Sequence, residues 1–107
     1  MCNLKTRYAG KEGYILQCAD CRHMQLGFGT TMLNLSPVDF KALSDLVAYR
    51  MDNLVTFGDD KKAILLPTPS AFCQMLLTER ELQTLNHMLQ CADNEMRAEA
   101  LLQLFQS

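Results

Sequence analysis

The chain has 107 residues, 49% of them apolar, and ten Lys and Arg against twelve Asp and Glu give it a net charge of −2 at pH 7. That length suits one domain over residues 1–107, and a chain of this size buries roughly 65% of its unfolded surface, so it stands without disulfides. The weakly acidic balance, with basic residues scattered, gives no electrostatic drive toward a polyanion, and no apolar run is long enough to span a bilayer.

Residues 3–9 and 13–18 are expected to form a first β-hairpin. Gly10-Lys11-Glu12-Gly13 supplies its tip, and Tyr8, Tyr14 and Ile15 are strand-forming side chains. Residues 23–28 and 30–35 form a second. Met24, Leu26 and Phe28 alternate with His23, Gln25 and Gly27, while Leu33 and Leu35 alternate with Met32 and Asn34, the period-two pattern of half-buried strands. Ser36-Pro37-Val38-Asp39 then opens a helix. Ser36 is an N-cap, Pro37 suits the first helical position, Asp39 completes an acidic capping box, and Leu35 and Phe40 form a hydrophobic staple. Phe40, Leu43, Leu46, Val47 and Leu54 recur at helical spacing, and Phe57-Gly58-Asp59-Asp60-Lys61-Lys62 ends the helix in a solvated loop.

Residues 63–67 and 71–77 read as two further strands around Thr68-Pro69-Ser70. Thr78-Glu79-Arg80-Glu81 is a full capping box, with Leu77 and Leu82 as its staple. Leu82, Leu85, Met88, Leu89 and Ala92 mark the buried face of a second long helix. Asp93-Asn94 is a point of interruption, after which Met96, Ala100, Leu101, Leu104 and Phe105 extend the pattern as a short third helix or as a continuation.

A shift of 42 residues lays Ser36 on Thr78, Asp39 on Glu81, Phe40 on Leu82 and Leu43 on Leu85. The unit strand, strand, capped helix thus occurs twice, either by duplication or because any capped amphipathic helix after a strand gives such matches. Both lead to an α+β fold: about six mainly antiparallel strands with two long helices packed on one face.

Reactive side chains concentrate in Cys18-Ala19-Asp20-Cys21-Arg22-His23. If Gly10 pairs with Gly13, residue numbers across the first ladder sum to 23, and Cys2 falls opposite Cys21. Cys2, Cys18, Cys21 and His23 then make a four-ligand set suited to tetrahedral zinc. Only one C-x2-C knuckle is present, where a zinc ribbon has two, and the competing reading is a group of ordinary buried thiols. A redox pair is the weaker alternative, because a strand follows Cys21 and no helix N-terminus is there to lower a thiol pKa. Lys5, Arg7, Lys11 and Arg22 near this hairpin are the support for a nucleic-acid contact, against the acidic balance of the whole.

The remaining candidates are poorer. Cys73, on a strand, and Cys91, on a helix, read as core or boundary residues, His87 as a surface residue, and Asp59-Asp60 as part of a turn. Gly27-Phe28-Gly29-Thr30 lies between strands, without the Lys-Ser/Thr or the helix of a phosphate loop. No G-x-S-x-G, H-E-x-x-H or Walker sequence occurs, and two histidines leave few players for acid–base chemistry, so no catalytic residue is assigned. The N-terminus lacks the apolar stretch of a signal peptide, which points to the cytoplasm, where the five cysteines are thiols, metal ligands or redox groups rather than disulfides.

Met1-Cys2 with Cys18-x2-Cys21 and Gln25-Leu26-Gly27-Phe28-Gly29-Thr30 resembles the N-terminal half of a family of small uncharacterised Bacteroidetes proteins. Leu66-Pro67-Thr68-Pro69, Glu81-Leu82, Leu85, Met88-Leu89 and Leu101-Leu102-x-Leu104-Phe105 resemble its C-terminal half. The resemblance implies a domain of unknown function, and it carries no catalytic residue over. The leading expectation is a small non-enzymatic cytoplasmic module for binding or regulation, with sheet edges that favour a homodimer. The alternative is a structural zinc protein built on Cys2, Cys18 and Cys21, in contact with nucleic acid.

Overall fold

The computed structural model describes residues 3–54, 61–62, 64–69 and 73–106. Cys2, the Phe57-to-Asp60 part of the expected loop, and Ser70 lie outside them. In chain order the described elements are β1 (Leu4–Ala9), β2 (Gly13–Cys18), β3 (Met24–Phe28), β4 (Thr31–Leu35), α1 (Pro37–Asp52), β5 (Ile64–Pro67), β6 (Gln74–Leu77) and α2 (Glu79–Gln106). The α+β expectation holds, with every strand pair antiparallel. The strands divide into two sheets, however: one of order β1-β2-β3-β4 and a separate β5-β6 hairpin. Sequence periodicity identifies strands but not their partners, and α1 separates β4 from β5 along the chain.

Alternation builds the core. Met24, Leu26 and Phe28 of β3, Leu33 and Leu35 of β4, and Ile15 of β2 are buried. They join Phe40, Leu43 and Val47 of α1, Leu82, Leu85, Met88, Leu89 and Ala92 of α2, and Ile64, Leu66, Met75 and Leu77 of the small hairpin in one apolar cluster. Each of these side chains larger than Ala92 contributes roughly 1.5–3 kcal/mol on burial.

The caps form as their residues require. Ser36 Oγ accepts the amide of Asp39 at 3.1 Å. At α2 the box is reciprocal: Glu81 N donates to Thr78 Oγ1 at 3.0 Å and Thr78 N donates to Glu81 Oε1 at 2.9 Å. α1 ends at Asn53, whose amide and side chain both donate to the Tyr49 carbonyl. α2 does not break at Asp93-Asn94 but runs 28 residues without interruption. Asp93 and Arg97 close an ion pair at 3.0 Å across one turn there, and the propensity cost of two poor helix formers is only a fraction of a kcal/mol each, about 0.7 at most.

The first hairpin departs from its expected register. Ala9↔Tyr14 and Tyr8↔Ile15 sum to 23, but Thr6↔Leu16, Lys5↔Gln17 and Leu4↔Cys18 sum to 22, with a bulge at Arg7 between them. The sum that placed Cys2 opposite Cys21 therefore does not carry past Arg7, and Cys2 itself lies outside the described residues. A bulge twists an edge strand and re-aims the extra side chain. Here it sends Arg7 inward, where it is 5% exposed.

Candidate functional site

The β2–β3 connection is the Cys18–His23 stretch. Cys18 is buried at the end of β2, whereas Cys21, Arg22 and His23 are exposed. The chain curls tightly: Arg22 N donates to Cys18 O at 3.0 Å and Cys18 N donates to His23 O at 2.9 Å. Arg22 has φ 70°, in the left-handed region that disfavours residues with a Cβ. Within the same turn the amide of Cys21 donates to Cys18 Sγ at 3.4 Å. His23 Nδ1 faces the Cys21 carbonyl at 3.4 Å. Among the described residues, no three His, Cys, Asp or Glu side chains gather as a metal site. The turn thus brings Cys18 and Cys21 together, and the third expected ligand, Cys2, is not described.

Beside this turn lies a groove of about 410 Å³ between β2–β3, α1 and the second half of α2. Met24, Phe40 and Met96 are among its apolar lining residues, and Ser44 stands on the α1 side. Ser44 Oγ is shielded and makes no hydrogen bond to the described residues. Arg22, Lys41 and Arg97 line the groove along with Asp45 and Asp93. Lys41 pairs with Asp45 at 3.4 Å and Arg97 with Asp93 at 3.0 Å, each along its own helix. Arg22 has no ion pair among the described residues, so the rim carries one cation in excess on a chain of net charge −2. Sequence reasoning had placed Arg22 beside the cysteines but had no local signal for a groove, because its walls come from four separate elements.

A polar cluster locks α2 to the sheet behind this groove. Arg7 Nε donates to Gln17 Oε1 at 3.0 Å, Gln17 Nε2 donates to the Arg22 carbonyl at 3.2 Å, and Arg7 also pairs with Glu99 and, at 3.4 Å, with Glu95. Lys5 adds a second cation to Glu99 at 2.9 Å. Arg7, and after it Lys5, hold the Glu99 carboxyl down at about 2. Lys5 and Arg7, expected as candidates for a nucleic-acid surface, are thus engaged with acids of α2.

His87 and Cys91 sit one turn apart on α2, with Cys91 Sγ 3.5 Å from His87 Nε2. The imidazole meets the Tyr8 ring edge-on at 6.1 Å between centroids. His87 is exposed as expected, and Cys91 is half-buried. Cys73 is likewise half-buried but precedes β6, where its carbonyl accepts from Thr68 Oγ1 at 2.6 Å. No described helix is long and apolar enough to cross a membrane.

One family model matches residues 1–105, and its description is a family of unknown function (DUF6686). No curated protein and no solved structure matches the chain.

Proposed function

We propose that this chain, which belongs to the DUF6686 family of unknown function, is a small cytoplasmic binding module whose site is the groove beside Arg22. The carrying observation is the combination found there: an apolar floor of Met24, Phe40 and Met96 under a rim where Arg22 makes no ion pair among the described residues. Ligand sites are concave, mainly apolar, and oriented by a few polar groups, and about 410 Å³ falls within their usual range. The matching ligand has a short apolar body and an anionic head directed at Arg22. Nothing in the groove supplies a nucleophile with its base, so binding rather than turnover is the function proposed.

Octanoate is a simple probe of this chemistry. Amide shifts on titration are expected at Arg22, Ser44, Met96 and Ala100, and to be lost when Ala100→Phe obstructs the groove and weakened in Arg22→Ala. Shifts spread evenly over the surface, or unchanged by Ala100→Phe, remove the groove as a ligand site.

A second reading, a structural metal held by Cys2, Cys18, Cys21 and His23, is favoured by the shape of the β2–β3 turn. The i, i+3 thiols share one tight turn, and a backbone N–H already points at the first sulfur. Thiolate ligands so hydrogen-bonded suit zinc, and a structural zinc contributes directly to folding free energy. Protein purified under reducing conditions is then expected to carry about one zinc per chain. The double substitution Cys18→Ser with Cys21→Ser is expected to lose the metal and lower the melting temperature. Sub-stoichiometric zinc together with unchanged melting after chelation is the contrary result.

A further inference from the structure

We propose that two copies of this chain pair antiparallel through the outer face of the last two turns of α2, and that this pairing sets the partner's helix against one rim of the groove. Its four apolar residues, Leu101, Leu102, Leu104 and Phe105, are not among the lining residues of the groove, so its failure and that of the octanoate experiment are distinguishable.

The buried stripe of α2 is Leu82, Leu85, Met88, Leu89 and Ala92, continued by the half-buried Met96 and Glu99. At about 100° per residue the same stripe passes next through Gln103 and Gln106. The side of the helix that faced the body has turned polar. The apolar residues Leu101, Leu102, Leu104 and Phe105 occupy the opposite arc, and every residue from Ala100 to Gln106 is exposed. Those four are 57%, 61%, 72% and 87% exposed. Among the described residues, the apolar face of α2 thus reverses where the helix leaves the body, and these side chains stay largely exposed.

Three features commit this face to a second copy. First, the polar side of the tail is Glu99, Gln103 and Gln106, acidic and neutral, whereas a helix lying on an anionic lipid surface needs Lys and Arg there. Second, the four apolar side chains offer on the order of 500 Å² per chain, so mutual burial hides up to about 1,000 Å², the scale at which specific interfaces begin. Third, the stripe is self-complementary. With Leu101 on the two-fold axis, antiparallel positions sum to 202. Leu101 then comes opposite itself, the small Ala98 opposite the partner's Leu104, and Arg97 opposite the partner's Phe105, a pairing of cation and aromatic ring. Arg97 is also a rim residue of the groove, so the second copy would complete that rim with an aromatic side chain.

Sedimentation equilibrium of the full chain from about 1 to about 200 µM is expected to show a reversible monomer–dimer equilibrium. Leu101→Glu sets two carboxylates against each other at the axis and is expected to weaken the dimer about a hundredfold or more, while the circular dichroism spectrum stays unchanged and the melting temperature matches that of dilute, monomeric wild type. Leu101→Cys under mild oxidation is expected to cross-link to its own symmetry mate, identified by peptide mass spectrometry, whereas Val38→Cys, exposed on α1, is not. A wild-type chain that stays monomeric throughout overturns the proposal. So does a dimer indifferent to Leu101→Glu, equal cross-linking from the two introduced thiols, or binding to lipid vesicles that Leu101→Glu abolishes, which would assign the face to a membrane surface.

Discussion

Replacing Gly13 by alanine is expected to destabilise the fold by about 2–3 kcal/mol, a fall in melting temperature on the order of 10–20 °C for a domain of this size. Gly13 opens β2 and lies opposite Phe28 of β3. A Cβ built there overlaps the carbonyl oxygen of Gly27 and comes within 3.1 Å of Met88 Cε. The first obstacle is backbone in the neighbouring strand, which cannot rotate away, and the second is a core methyl of α2. Relief requires β2 and β3 to part at the end of the sheet that α2 covers. The other glycines supply the comparison. The nearest atoms to a Cβ at Gly27 belong to the Tyr14 ring, a side chain that can swing aside, so Gly27→Ala is expected to cost clearly less. Gly29 has φ 58° in the turn after β3 with open space around it, so alanine there brings only left-handed strain, on the order of 1 kcal/mol. Denaturant melts of the three variants are expected to rank Gly13→Ala as the most damaging. Equal losses at Gly13 and Gly29 would show that steric contact with Gly27 is not what matters.

What could be read in advance follows the range over which each interaction acts. Helix starts are written within four residues, so Ser36-Pro37-Val38-Asp39 and Thr78 to Glu81 announced α1 and α2, and both caps carry the expected hydrogen bonds. Period-two runs located the strands because burial alternates within a single strand. Long-range choices were not legible. Nothing local says that β5 and β6 form their own sheet, whereas the continuity of α2 through Asp93-Asn94 has a local sign, the i,i+4 pair of Asp93 with Arg97. Even spacing along β1 sets Cys2 opposite Cys21, and one inserted residue, Arg7, changes the sum. Of the site, the C-x2-C turn was visible as a motif, and its proximity of Cys18 to Cys21 is local. The groove was not visible, since Arg22, Phe40, Ser44, Met96 and Arg97 belong to no common motif and are assembled by packing alone. His87 was correctly placed on the surface, but its contact with Tyr8 depends on how α2 crosses β1, which no spacing within α2 encodes.

Arg7→Ala is expected to cost on the order of 3 kcal/mol at neutral pH, and to do so through charge rather than volume. The Arg7 side chain is 2% exposed, and its guanidinium serves Gln17, Glu95 and Glu99 at once. Truncation strands the Gln17 oxygen in a buried position and leaves Glu99 with Lys5 as its remaining cation. Arg7→Met separates the contributions, since it keeps an apolar stem of similar length while removing every donor. Acid titration identifies the charge component. Glu99 has an ordinary value of 4.5 when unfolded and is held at about 2 in the folded chain, first by Arg7 and then by Lys5. A carboxyl depressed by folding stabilises fully above its unfolded value and loses that contribution as pH falls through the folded one. The stability gap between wild type and Arg7→Met is therefore expected to be widest above about pH 5 and to narrow between about 4.5 and about 2. Glu99→Gln is expected to lose stability at neutral pH and to flatten the same acid limb, because the neutral amide has no proton to take up. Acid curves for wild type and Arg7→Met that run parallel over this window would show that Arg7 holds α2 to the sheet by packing and not by its bond to Glu99.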